Sequence, residues 1–243
     1  MKKFAYLIFA FVLLFSVQGS VFGQDAGVDV AMLELVDSKL DVVMNSHPTV
    51  YLVFENTASV PMKIGYGWDD VEEPSVRLID DDGNELGVVN NIYTLPSSIM
   101  PGERGYAEIE FWDLPEDAMP VDFEVTFTGV KDKYGPSERV YMDATVEIED
   151  FDGPHSPLRG LVATISNQTD YSNFLEDGYI ALLDQEGKLV FYSDIFSLYM
   201  VSITPGSSVK TLVKEFYNEG EEEALKDVDY EKSIVNVWFD IYD

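Results

Sequence analysis

The sequence predicts an all-β protein, two tandem β-sandwich domains behind an N-terminal targeting segment. Three observations carry that prediction. First, the stretch from Val76 to Gly102 returns in shorter form at Ile180 to Gly206: V-R-L-I-D-D-D-G-N-E-L in one copy, I-A-L-L-D-Q-E-G-K-L-V in the other. Gly83 lies 18 positions before Pro101-Gly102, and Gly187 lies 18 before Pro205-Gly206. Second, each copy follows an apolar run that ends in asparagine, Val50 to Asn56 and Leu161 to Asn167. Third, short runs rich in β-branched and aromatic residues alternate with turn residues throughout, which is the pattern of a sandwich rather than of helices.

Taken in order, the first 23 residues read as a signal peptide. Lys2 and Lys3 precede an apolar run from Phe4 to Val17, and small residues lead to a cut after Gly23. The run is short of the roughly 20 apolar residues of a spanning helix, and an uncleaved anchor is the alternative. Ala31 to Val36 opens the mature chain as an edge strand. Thr49 to Glu55 is a strand closed by Asn56-Thr57, and Val60 to Tyr66 is an edge strand because Pro61 lacks an N–H. Residues 67–74 read as a loop. Val76 and Leu78 point inward, and Asp82-Gly83 supplies the positive φ angles of a tight hairpin. Ala107, Ile109 and Phe111 alternate with Tyr106, Glu108 and Glu110, a clean period of two. Long strands over Val121 to Val130 and Arg139 to Ile148 complete the first domain, 24–150.

The acidic run Glu149 to Pro157, with two prolines and a glycine, marks the domain boundary. In the second domain, 151–243, Ile180 and Leu182 take the places of Val76 and Leu78. Leu189 to Met200 is rich in aromatics (Phe191, Tyr192, Phe196, Tyr199) and reads as core. Val209, Thr211 and Val213 alternate in a further strand, Glu219 to Lys226 forms a short helix, and Ile234 to Tyr242 closes the fold.

This grammar of a β-run ending in Asn, an aliphatic-Asp-x-x-Gly hairpin and a Pro-Gly resembles that of exported bacterial immunoglobulin-like modules. The second domain is similar to FxLYD-type domains through Gly160 to Asn167, Leu182-Leu183-Asp184, Gly187 and Pro205-Gly206. The Phe-x-Leu-Tyr-Asp signature is replaced by Ile180-Ala181-Leu182-Leu183-Asp184. The first domain is similar in layout to the intracellular proteinase inhibitor family. The resemblance implies an immunoglobulin-like fold and transfers no catalytic residue.

Fifteen Lys and Arg face 45 Asp and Glu, a net charge of −30 spread over both halves. Such a coat repels nucleic acid and anionic membranes and reads first as a solubility feature suited to saline surroundings, with attraction of a cationic partner or of divalent ions as the alternative. With no cysteine, thiol catalysis, disulfide staples and a cysteine-linked lipid are excluded. The two histidines, His47 and His155, stand in loops without metal-binding spacing, and no nucleophile elbow or phosphate-cradling loop occurs. Carboxylates are too abundant for any pair to be informative.

Asp80-Asp81-Asp82-Gly83 invites calcium, but with Gly83 at position six an EF-hand loop would place Leu78 at one and Val89 at twelve. A looser surface calcium site on Asp80 and Asp82 competes with a plain hairpin turn; the turn is favoured because the second copy reads Asp184-Gln185-Glu186. No other cofactor is expected. Tyr66, Trp68 and Trp112, near Asp69, Asp70 and Asp113, are candidates for a sugar-stacking platform, with core packing the competing reading. Asn167-Gln168-Thr169 matches a glycosylation acceptor.

The expectation is therefore a non-enzymatic exported binding or structural module, periplasmic, at the cell surface or secreted, that meets a protein partner, with a basic partner the kind its acidic surface would steer. Carbohydrate binding and inhibition of an extracellular protease through the 67–75 loop are the alternatives, the last on fold analogy alone. The oligomeric state is left open.

Overall fold

The computed structural model describes residues 33–45, 47–115, 118–151, 158–172, 174–175, 177–195, 197 and 201–242, and nearly all regular structure among them is strand. Residues 1–32, which include the expected signal peptide and the expected strand start at Ala31 and Met32, residues 152–157 of the expected linker with His155, and Phe196 and Tyr199 lie outside the described residues.

The N-terminal half contributes β1 (Leu33–Asp41), β2 (Thr49–Asn56), β3 (Met62–Ile64), β4 (Ser75–Ile79), β5 (Glu85–Val89), β6 (Arg104–Glu110), β7 (Asp122–Thr126) and β8 (Gly129–Lys131). They pair antiparallel in the orders β1-β2-β6, β5-β4-β7 and β3-β8. The C-terminal half contributes β9 (Glu138–Tyr141), β10 (Asp143–Phe151), β11 (Leu158–Ser166), β12 (Asp177–Leu183), β13 (Leu189–Asp194), β14 (Ser208–Glu215), helix α1 (Glu219–Glu223) and β15 (Ile234–Ile241). These form β13-β12-β15-β9 and β10-β11-β14, again antiparallel.

Two expected strands divide differently. Val121 to Val130 splits into β7 and β8, which join different sheets. Arg139 to Ile148 splits at the buried Met142 into β9 and β10, and neither completes the first half: β9 pairs with β15 and β10 with β11. The change of sheet partner therefore falls between Lys131 and Glu138, ahead of the acidic, proline-bearing stretch. β10 runs through the start of that stretch because Glu149, Asp150 and Phe151 complete its ladder opposite Gly160, Arg159 and Leu158.

The asparagines that end the two apolar runs explain the repeat physically. Asn56 is fully buried; its Nδ2 donates to the carbonyls of Val60 (2.8 Å) and Ile99 (2.7 Å), and its Oδ1 accepts from the Ala58 N–H. Asn167 does the same with Tyr171, Ile203 and Thr169. The Gly102 and Gly206 N–H groups donate back to the Asn56 and Asn167 carbonyls. Each Asn thus ties its strand to the Pro-Gly turn, at the φ of +76° that both glycines hold and that glycine takes without a side-chain penalty. Asn167 has no free amide for a glycan, so the acceptor motif is a core element in the folded chain.

The hairpins match as well. Asp80 and Asp184 each accept backbone N–H groups two and four residues on, and Gly83 and Gly187 adopt φ of +81° and +82°. Only the glycine is left-handed. Asp82 keeps a negative φ, so the turn is a type I turn closed by a left-handed glycine with a register shift in the β4–β5 ladder.

β2 shows how the halves are joined. It is buried along almost its whole length: Val50, Leu52 and Phe54 enter one core with Val76, Leu78, Ala107 and Ile109, while Tyr51 and Val53 enter the other. That second core is shared with the C-terminal half and includes Tyr179, Leu182, Phe191, Tyr192 and Trp238. The Tyr51 ring lies 6.0 Å from Phe191, and Tyr106 stacks on Tyr192 at 5.7 Å. β2 is therefore covered on both faces, and burial of each large side chain contributes about 1.5–3 kcal/mol. Two polar ties fix the register: the Leu189 N–H donates to Asp37 at 2.8 Å, and the Lys39 ammonium donates to the Val190 carbonyl.

A buried ion cluster joins the halves near the end of β9. Arg139 makes two bonds to Asp240 (2.7 and 2.9 Å) and one to Glu103 (2.7 Å), and its guanidinium sits 5.1 Å from the Trp238 ring centroid. Tyr141 donates its hydroxyl to Glu103 as well.

Candidate binding cleft

Where the halves meet, a cavity of about 520 Å³ is lined by residues of both. The N-terminal half supplies Tyr93 from the segment after β5, Glu108 and Glu110 from β6, and Trp112 just beyond. The C-terminal half supplies Asp177 at the start of β12, and Tyr192 and Asp194 on β13. The period of two along β6 is what puts the carboxylates there. Ala107 and Ile109 fill the first core, so Glu108 and Glu110 must face the opposite side with Tyr106. That side is the junction rather than open solvent, a distinction that alternation alone does not make.

Glu108 accepts a hydrogen bond from Asn45 Nδ2 at 3.2 Å, the same amide that reaches Thr49 (3.0 Å) and the Tyr51 hydroxyl (3.1 Å). Burial, reinforced by the charges of Glu110 and Asp194, pushes its carboxyl up to about 8. Burial likewise raises the phenols of Tyr51 and Tyr192. Beside Glu108, the His47 Nε2 lies 3.0 Å from Glu110, and the His47 ring lies 3.6 Å from that of Trp112. His47 thus backs the tryptophan and lies beside the Glu110 carboxylate.

The three aromatic candidates fall in two places. Tyr66 and Trp68 meet face to face, 4.6 Å apart and 13° from parallel. The short 3₁₀ turn Gly67–Asp69 sets this, because Asp69 accepts from the Tyr66 N–H and from Lys63. Two stacked rings cover one another, so they are not a side-by-side platform. Trp112 is in the cleft, with one face against His47. Tyr93, which sequence reasoning missed, links the two places: its ring lies 6.2 Å from Tyr66 and its side chain lines the cleft. Tyr93 and Trp112 remain 70% and 68% exposed, so they are the lips of the cleft rather than its floor. Tyr93 stands in an irregular segment without periodicity, and nothing local in the sequence marks it.

Asp80, the first calcium candidate, accepts from the Asp82 and Asn84 N–H groups and from the Asn84 amide, which fully engages it in the turn. Among the described residues, no three acidic or histidine side chains converge on a metal-sized site.

No family model matches the chain, and no curated protein or solved structure matches it.

Proposed function

We propose that the chain is an exported, non-enzymatic binding protein: a signal peptide over 1–23, then two immunoglobulin-like β-sandwiches that hold a protein partner at the cell envelope or outside the cell. The observation that carries this reading is the cleft between the halves, a preformed concavity with aromatic lips and four carboxylates, contributed jointly by β6, β12 and β13. Concave sites at domain junctions with a few convergent polar groups are the usual seats of ligands, and a preformed cleft spares the ordering cost of binding. The excess of acidic residues steers a basic partner toward it.

The test is capture of a partner by residues 24–243 from envelope and secreted fractions of the source, at low and high salt, beside an E108Q/E110Q/D194N variant. A defined protein, retained at low salt and lost with the variant, supports the reading. Equal capture by the variant removes the cleft from it. The exposed rings of Tyr93 and Trp112 favour one second reading, carbohydrate binding at the same lips. Glycan capture that survives high salt and is lost on Trp112→Ala selects that reading.

A further inference from the structure

The cleft deepens the protein-binding reading, on which the following rests, because its chemistry selects one kind of side chain. The cavity is too small for a folded element and large enough for one or two side chains. Its lips are flat aromatic rings, Tyr93 and Trp112, and its walls carry Glu108, Glu110, Asp177 and Asp194. A planar cation satisfies both at once: it stacks on aromatic faces, donates several hydrogen bonds in one plane to carboxylates, and loses less hydration on entry than an ammonium. A neutral sugar would leave the charges of Glu110 and Asp194 beside Glu108 uncompensated, whereas a cation compensates them.

We propose that the cleft is the seat of an arginine side chain presented by an extended basic segment of the partner, its guanidinium lying between Tyr93 and Trp112 and bonded to Glu108 and Asp194. Seating the cation ionises Glu108, and the released proton passes to solvent. The groups around Glu108 decide that coupling. Burial first, then the charges of Glu110 on the same strand and Asp194 on β13, favour its protonated form, whereas Asn45 and the charge of Lys214 on β14 favour the ion. Asp177 on β12 and the buried Tyr192 also line the cleft, and His47 stands against Glu110 behind Trp112. With the carboxyl near 8 in the empty cleft, a cation that enters at pH 6 to 7 must displace a proton, and one that enters above pH 8 need not.

The experiment uses a tri-arginine peptide and its tri-citrulline counterpart, which keeps the planar shape but carries no charge and has a carbonyl oxygen in place of one donor nitrogen. Each is titrated into residues 24–243 at 150 mM salt, with tryptophan fluorescence and calorimetry as readouts. The expected result is one site, quenching that disappears in Trp112→Phe, and no binding of tri-citrulline. Affinity should tighten from pH 6 to pH 8 by up to roughly tenfold per unit, the limit for one coupled proton. Calorimetry in two buffers of different ionisation enthalpy should report proton release near pH 7. Glu108→Gln should abolish both the pH dependence and the proton release. Ordinary exposed carboxylates are fully ionised over this range, so pH-independent binding, or equal loss in a D81N/D82N control on the β4–β5 turn, would show diffuse surface attraction and overturn the proposal. Absence of peptide binding overturns it too. If the partner is nevertheless captured by both wild type and the cleft variant, the protein-binding reading stands and the cleft assignment falls.

Discussion

Arg139 offers the sharpest test of how the two halves are held together. Its side chain is 3% exposed, with Glu103 on one side and Asp240, 7% exposed, on the other. Replacing it with alanine leaves two carboxylates with little water and no cation, and removes the guanidinium from beside Trp238. Breaking a buried ion pair by deleting one partner costs about 3–5 kcal/mol. For a chain of this size, a loss of that order lowers Tm by about 6–20 °C. Urea unfolding followed by far-UV circular dichroism, with a parallel thermal scan, measures both quantities. The loss should be largest at neutral pH and shrink on acidification, because burial already raises the Glu103 carboxyl and Arg139, which opposes that rise, is gone, so Glu103 takes up a proton more readily in the folded than in the unfolded chain. Stability that rises as pH falls is the sign expected for acids whose folded pKa is raised. An E103Q/R139M/D240N variant, with no buried charge left, should recover most of the loss. A cost below about 1 kcal/mol for Arg139→Ala would place the cluster with exposed pairs and refute the view that it clamps the halves.

Three further outcomes follow from other parts of the molecule. Asn56→Ala and Asn167→Ala should each destabilise by about 2–4 kcal/mol, since each orphans two carbonyls and an N–H against the Pro-Gly turn, and chemical denaturation should show similar losses for the two. Secretion from a glycosylating host should yield Asn167 without glycan by intact mass, because the amide is buried and doubly bonded. The Glu108 carboxyl, near 8 in the fold against an ordinary value of 4.5, keeps its proton in the folded chain while the unfolded chain loses it. Stability should therefore fall as pH rises from 5 to 8, by at most about 1.4 kcal/mol per unit, and Glu108→Gln should flatten that slope in denaturation measured across the range.

Much of the architecture is legible in local sequence. The repeated Asn, Asp-x-x-Gly and Pro-Gly elements identify matching turns because each is a short-range device, with a side chain or a left-handed glycine closing a loop within a few residues. Strand partners are less legible. The stretch 138–151 has the composition of one strand, but β9 pairs with β15 about a hundred residues on, which no local pattern encodes, while β10 turns back onto the next strand, β11. The candidate site divides the same way. Trp112 stands out by residue type, whereas Tyr93, Asp177 and Asp194 come together only when the halves dock.

β2 shows what the sequence does say about that docking. A strand with one wet face alternates apolar and polar residues, whereas Val50-Tyr51-Leu52-Val53-Phe54 is apolar at every position, the mark of a strand covered on both sides. Slipping it by one residue would exchange Leu52 and Phe54 with Tyr51 and Val53 between two differently shaped cores, so the register is fixed by shape on both faces. The face toward the C-terminal half is written in tyrosines whose hydroxyls need partners, and Asn45 and Asn236 supply them to Tyr51 and Tyr179. A junction built this way resists sliding. Glu108, held on β6 beside β2, is consequently fixed near Asp194 in the empty chain, and the burial that raises its carboxyl, with the neighbouring charges that add to it, is a property of the fold before any ligand arrives.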